Sequence, residues 1–195
     1  MVLVAQKNSF AYMEIKLIEI GGFASALKAL RLPYGKEARS EMVSTTFAHG
    51  NFIGYDSKIS INDKDLSLMS ALVKRGDEHA KVMRGIVVWA EITAPVYMWA
   101  EIETYRAGHE RLSSQSTMHI DCKGLKGEEL QKAKSEIPMG KELKKIDFFS
   151  YQCLRNIYFQ RRNHRLPEWH QFCEWIEGLP YAKELIICEN GQQDS

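Results

Sequence analysis

The sequence predicts an α/β fold of the α+β kind, with helices packed on an antiparallel or mixed sheet. Three observations lead there. Residues 13–20 (MEIKLIEI) mix apolar and charged side chains in roughly the period of a half-buried strand. Residues 86–92 form a second apolar strand, and after Ala94-Pro95 the pattern changes to a helix beginning near Val96. Residues 146–162 and Pro167–Glu177 are rich in aromatics at helical spacing. With 195 residues, 45% hydrophobic and 26% charged, the chain has enough apolar material for a single domain over 1–195 with a full core.

In chain order, residues 1–12 read as an N-terminal arm, and Gly21-Gly22 stops the first strand. A short helix over 23–32 is closed by Pro33 and Tyr34-Gly35. The stretch 35–64 fits either a hairpin or a long surface segment. Asp65 is the expected cap of a helix over 66–74, with Leu68, Met69, Leu72 and Val73 as its buried stripe. Residues 123–145 have no aromatics and are dense in charge, which predicts a solvated helix and a connection. Residues 146–162 then predict one helix, with Phe149, Cys153 and Ile157 on one face. Pro167 opens the last helix, where Trp169, Phe172, Cys173 and Ile176 share a face. Residues 190–195 are a polar tail.

A formal charge of +1 excludes a general nucleic-acid binder, which needs a basic face. Four widely spaced cysteines with no CxxC pair predict reduced structural thiols in a cytoplasmic protein rather than zinc or disulfides. His79, His109 and His119 lack metal-ligand spacing. No apolar run approaches the length of a membrane span.

The chemistry gathers in residues 89–119. Met98, Ile102 and Tyr105 recur at i, i+4, i+7 and are expected to face the core. Glu101 lies on the other side, and Glu103 is placed to pair with Arg106. This helix would deliver Glu101, Tyr105 and Arg106 to a hydroxyl-rich loop containing Ser113, Ser114 and Ser116. Loop N–H groups and hydroxyls satisfy phosphate oxygens, and guanidinium groups add charge and bidentate geometry. The basic cluster at Arg161 and Arg162 is the expected second wall. The bland alternatives are a plain turn and surface ion pairs.

The order of these features resembles the flavin-dependent thymidylate synthases. MEIKLIEI and ALKALRLPY are similar to that family's opening strand and helix, and IVVWAEITAPVYMWAEIETYR to its strand, Ala-Pro break and helix. Thr104-Tyr105-Arg106 stands where the family has Arg-His-Arg, and Glu101 where its helix usually has a nucleotide-contacting Gln. The family's serine, separated from the motif by seven residues, falls on Ser114. Arg161 or Arg162 matches a late arginine that holds the nucleotide phosphate. Glu78-His79 resembles the family's Glu-His pair but lies several residues too far before the strand.

The resemblance implies FAD, reductive methylation of deoxyuridylate, and a homo-oligomer with sites shared between subunits. The missing arginine and histidine predict instead that flavin is absent or weakly held. The expectation is a nucleotide-binding protein of this fold. Alternatives are non-catalytic capture of a signalling or cyclic nucleotide, as by a viral protein in host cytoplasm, and an interaction protein.

Overall fold

The computed structural model describes residues 13–36 and 60–189. The proposed arm (1–12), the tail (190–195) and most of the 35–64 stretch lie outside the described residues. Four strands form one antiparallel sheet: β1 (Glu14–Gly21), β2 (Val87–Pro95), β3 (His109–Ser114) and β4 (Glu142–Ser150), in the order β1-β2-β4-β3. The helices are α1 (Phe23–Arg31), α2 (Asp63–Lys74), α3 (Val96–Ile102), α4 (Thr117–Ile120), α5 (Gly127–Ser135), α6 (Tyr151–Arg161), α7 (Pro167–Glu177) and α8 (Ala182–Leu185).

The register assigns each face of the sheet a role. Val88, Ala90, Ile92 and Ala94 of β2 lie opposite Phe149, Asp147, Lys145 and Leu143 of β4. All but the half-buried Leu143 are buried, and the apolar ones share one core with Leu27, Met69, Met98, Ile102, Leu154, Trp169 and Phe172 from the helices. The other face carries Trp89, Glu91, Ile146 and Phe148, all half-exposed, with the Trp89 and Phe148 rings 6.1 Å apart. Full burial of each large apolar side chain on the inner face stabilises the fold by roughly 1.5–3 kcal/mol before entropy is counted.

Two junctions have no loop at all. β2 ends at Pro95 and α3 starts at Val96; β4 ends at Ser150 and α6 starts at Tyr151. The first free N–H groups of α3, those of Val96 and Tyr97, donate to Lys141 O (3.0 Å) and Met139 O (3.1 Å). Ser150 caps α6 by accepting from Cys153 N at 3.1 Å. Gly108 crosses this cap at φ +80°, and a Cβ there would overlap Ser150 Oγ, so glycine is required for both reasons.

Several expectations are corrected. Residues 146–162 are not one helix: Phe149 belongs to β4, and α6 begins at Tyr151. Residues 123–145 contain α5 but also the start of β4, a central strand, so they are not merely a charged connection. Ser113 and Ser114 lie in edge strand β3 rather than in a loop. Asn62 caps α2 in place of Asp65, which is fully buried and paired with Arg31. On α2, Met69 and Val73 are buried while Leu68 is exposed.

Candidate functional site

α3 is held by Met98, Trp99 and Ile102, all buried, with the Trp99 indole N–H donating to Leu143 O at 3.0 Å. It stops at Ile102, so Tyr105 and Arg106 are presented by the following turn, not by the helix. In that turn Tyr105 N donates to Ile102 O and Arg106 N to Thr104 O, both at 3.1 Å. The Thr104 hydroxyl donates to Glu101 O at 2.7 Å. Tyr105 turns inward as expected and packs against the core. The Arg106 side chain is exposed, with no hydrogen bond or ion pair to any described residue. The expected Glu103–Arg106 pair does not form, because Glu103 accepts from Lys145 at 2.5 Å and Arg111 at 2.6 Å. Burial alone would raise the Glu103 carboxyl, but the Lys145 hydrogen bond and charge, with Arg111, hold it below the usual carboxylate range.

Where α3, α6 and α7 meet, charged and aromatic groups converge. Arg161, the last residue of α6, places a guanidinium nitrogen 3.0 Å from Glu101 Oε2. The Trp169 indole N–H donates to the same oxygen at 2.9 Å, and His164 Nε2 lies 3.9 Å from it. Arg161 Nε donates to the Tyr105 hydroxyl at 2.7 Å, and that hydroxyl donates to Gln160 Oε1 at 3.1 Å. The guanidinium lies 4.7 Å from the Trp169 ring centroid and 5.6 Å from that of Tyr105, so cation–π attraction supports the ion pair. Glu101, Tyr105 and Arg161 are therefore brought together. Trp169 and His164 join them unforeseen: Trp169 reads as core from its periodicity, and it is core, but its N–H reaches the cluster. At the neighbouring residue of α7, burial and the Glu168 carboxylate push the Tyr97 hydroxyl up to about 12.

The remaining expected residues are elsewhere. Arg162 pairs with Glu189 at 3.5 Å and lies 4.9 Å from the Phe159 ring centroid. Ser113 and Ser114 are exposed, and the Ser114 hydroxyl donates only to neighbouring Gln115 O. They line a shallow open groove of about 280 Å³ with Glu91, Gln115 and Lys144, and no side chain of the α3–α6–α7 corner borders it. Ser116 precedes α4 without a side-chain cap bond.

β3 pairs along its length with β4, and His109 is its one buried side chain. Its ring stacks on Phe149 (4.5 Å, 1°), Nε2 lies 2.7 Å from Asp147 Oδ2 and Nδ1 lies 3.1 Å from Tyr105 O. Asp147 is fully buried, and its Oδ1 has no partner among the described residues. Among the described residues no group of three His, Cys, Asp or Glu side chains is placed to hold a metal ion, and no helix is long and apolar enough to cross a membrane.

The architecture is similar to that of thymidylate synthase X from Helicobacter pylori crystallised with FAD and dUMP. The TM-score is 0.64 at 13% identity, covering 90% of this chain and 98% of that one. The fold is that of the flavin-dependent thymidylate synthases. The same fold occurs in the UMP/dUMP methylase PolB from Streptomyces cacaoi, bound with 5-Br dUMP, at a TM-score of 0.61 and 11% identity over 91% of this chain and 96% of that one. The sequence matches no protein-family model and no curated protein. The thymidylate synthase X fold is thus retained at an identity where shape, and not the site's chemistry, is what the likeness carries.

Proposed function

We propose that this chain binds a phosphorylated nucleotide at the α3–α6–α7 corner and does so without flavin. One observation carries the reading: the side chains of Thr104 and Tyr105 are bonded within the chain, while that of Arg106 is exposed and makes no bond to any described residue. FAD does not fit a triad reduced in this way, since a single guanidinium remains where the family has two and an imidazole. A nucleotide needs less. Arg106 supplies charge to a phosphate, and the second carboxylate oxygen of Glu101 accepts from a base amino or imide group. The support from other proteins is that thymidylate synthase X and PolB, with the same fold, were crystallised with dUMP or 5-Br dUMP.

Calorimetry against deoxyuridylate, other mononucleotides and cyclic dinucleotides tests this. Heat with at least one member, together with a colourless purified protein, is the expected result. No heat with any, or a yellow protein with stoichiometric flavin, overturns it. We also propose a homo-oligomer, supported by exposed Leu112, Met118, Ile120 and Met139 and the half-exposed face around Trp89 and Phe148. A monomer by light scattering at working concentration would remove it.

A further inference from the structure

The three groups that converge on Glu101 Oε2 are all hydrogen-bond donors or cations: the Arg161 guanidinium at 3.0 Å, the Trp169 indole N–H at 2.9 Å and His164 Nε2 at 3.9 Å. With the carboxylate taken away, they are the walls of an oxyanion site. The walls do not depend on the occupant for their positions. Trp169 is fully buried, which fixes its N–H. Arg161 is held by the Tyr105 hydroxyl at 2.7 Å and lies over the Trp169 and Tyr105 rings. His164 is tied by its own Nδ1, which accepts from Leu166 N at 3.2 Å. The occupant comes from a different element, α3, which continues β2 without a loop.

We infer that Glu101 is a built-in anion filling a phosphate-type site made by Arg161, Trp169 and His164, and that it thereby decides what the corner accepts. While the carboxylate is in place, an incoming phosphate meets like charge at Arg161 and is confined to Arg106. Ligands that bring a hydrogen-bond donor to Glu101 are favoured over ligands that bring only charge. Neutralising position 101 reverses this preference, because a charged, preorganised donor set is left without a counter-ion. The inference deepens the nucleotide reading and rests on it for the claim that the corner is where ligand binds.

The test uses inorganic phosphate alone, at constant ionic strength set with chloride, read by thermal shift and calorimetry on the full chain. Glu101→Gln is expected to bind phosphate at least about tenfold more tightly than the parent. Glu101→Gln combined with Arg161→Gln is expected to return to the parent's response. Arg161→Gln alone is expected to leave the parent's weak phosphate response unchanged, a measurement that does not depend on how the Glu101 variant folds. Equal phosphate binding by Glu101→Gln and parent, a gain that survives Arg161→Gln, or a parent response lost with Arg161→Gln would each overturn the proposal. The two readings fail separately. Nucleotide heat without a phosphate gain sinks only this inference, and a phosphate gain without nucleotide heat sinks only the nucleotide reading.

Discussion

The α3–α6–α7 corner and the β3 edge are both dense in polar side chains, yet they differ in how those side chains are connected. At the corner Glu101, Arg161, Trp169 and Tyr105 bond to one another across 56 to 68 residues of sequence, inside an aromatic frame. At the edge Ser113 and Ser114 face solvent, and the one serine bond there reaches a neighbouring carbonyl. Hydroxyl density measures what a segment is able to bind; convergence of groups from separate elements determines whether it presents a site. Of the β3 side chains only His109 is buried, where it meets Asp147 and Phe149.

The largest expected effect separates that anchor from the serines. His109→Ala leaves Asp147 buried without its donor and is expected to destabilise the fold by about 3–5 kcal/mol, read from denaturant unfolding. A loss below about 1 kcal/mol would mean that Asp147 finds another partner and that the edge is independent of the core. Next, Arg106→Ala is expected to weaken nucleotide binding by about 1.5–3 kcal/mol with an unchanged melting temperature in the absence of ligand, with exposed Lys123→Ala as a silent control. Equal affinity of the Arg106 variant and the parent would shift attention from the corner to the edge.

A smaller effect lies between the two regions, at Glu103, which joins Lys145 of β4 to Arg111 of β3. Its carboxyl is held low in the folded state, so its contribution is present above the ordinary glutamate range and is lost as the pH falls through the folded value. Glu103→Gln should therefore lower the melting temperature slightly at pH 7, and the difference should close below about pH 4. A difference that persists in acid would point to packing instead of charge. The smallest effect belongs to Ser113→Ala and Ser114→Ala, each expected to change stability by less than about 0.5 kcal/mol and to leave nucleotide affinity as it is. A tenfold loss from either would restore the edge as part of the site.

The helices with a continuous apolar face were legible in the sequence, as were the strand, Ala-Pro break and helix that lead into the corner. β4 was not, for a physical reason. Its core-facing positions run Leu143, Lys145, Asp147, Phe149, and two charges on the buried side erase the alternation that marks a strand. Lys145 is tolerated there because Glu103 and the Trp99 ring receive its ammonium, and Asp147 because His109 does the same for its carboxylate. Those partners lie far off in sequence and carry no local signal. β3 was hidden likewise: HERLSS contains no β-branched residue and buries only its first side chain. At the corner, residue types on α3 pointed to Glu101 and Tyr105, but the pairing of Glu101 with Arg161 required the fold.

The direct joins of β2 to α3 and of β4 to α6 bear on how this surface changes over evolutionary time. Each inserted or deleted residue at such a join would turn the helix by roughly 100°, carrying Glu101 or Arg161 off the shared corner and rotating an apolar face out of the core. Length variation is therefore closed to this part of the chain. On such a fixed frame the corner changes only by exchanging one side chain for another, so the chemistry it presents is set by the identities of a few residues such as 101, 104 and 105.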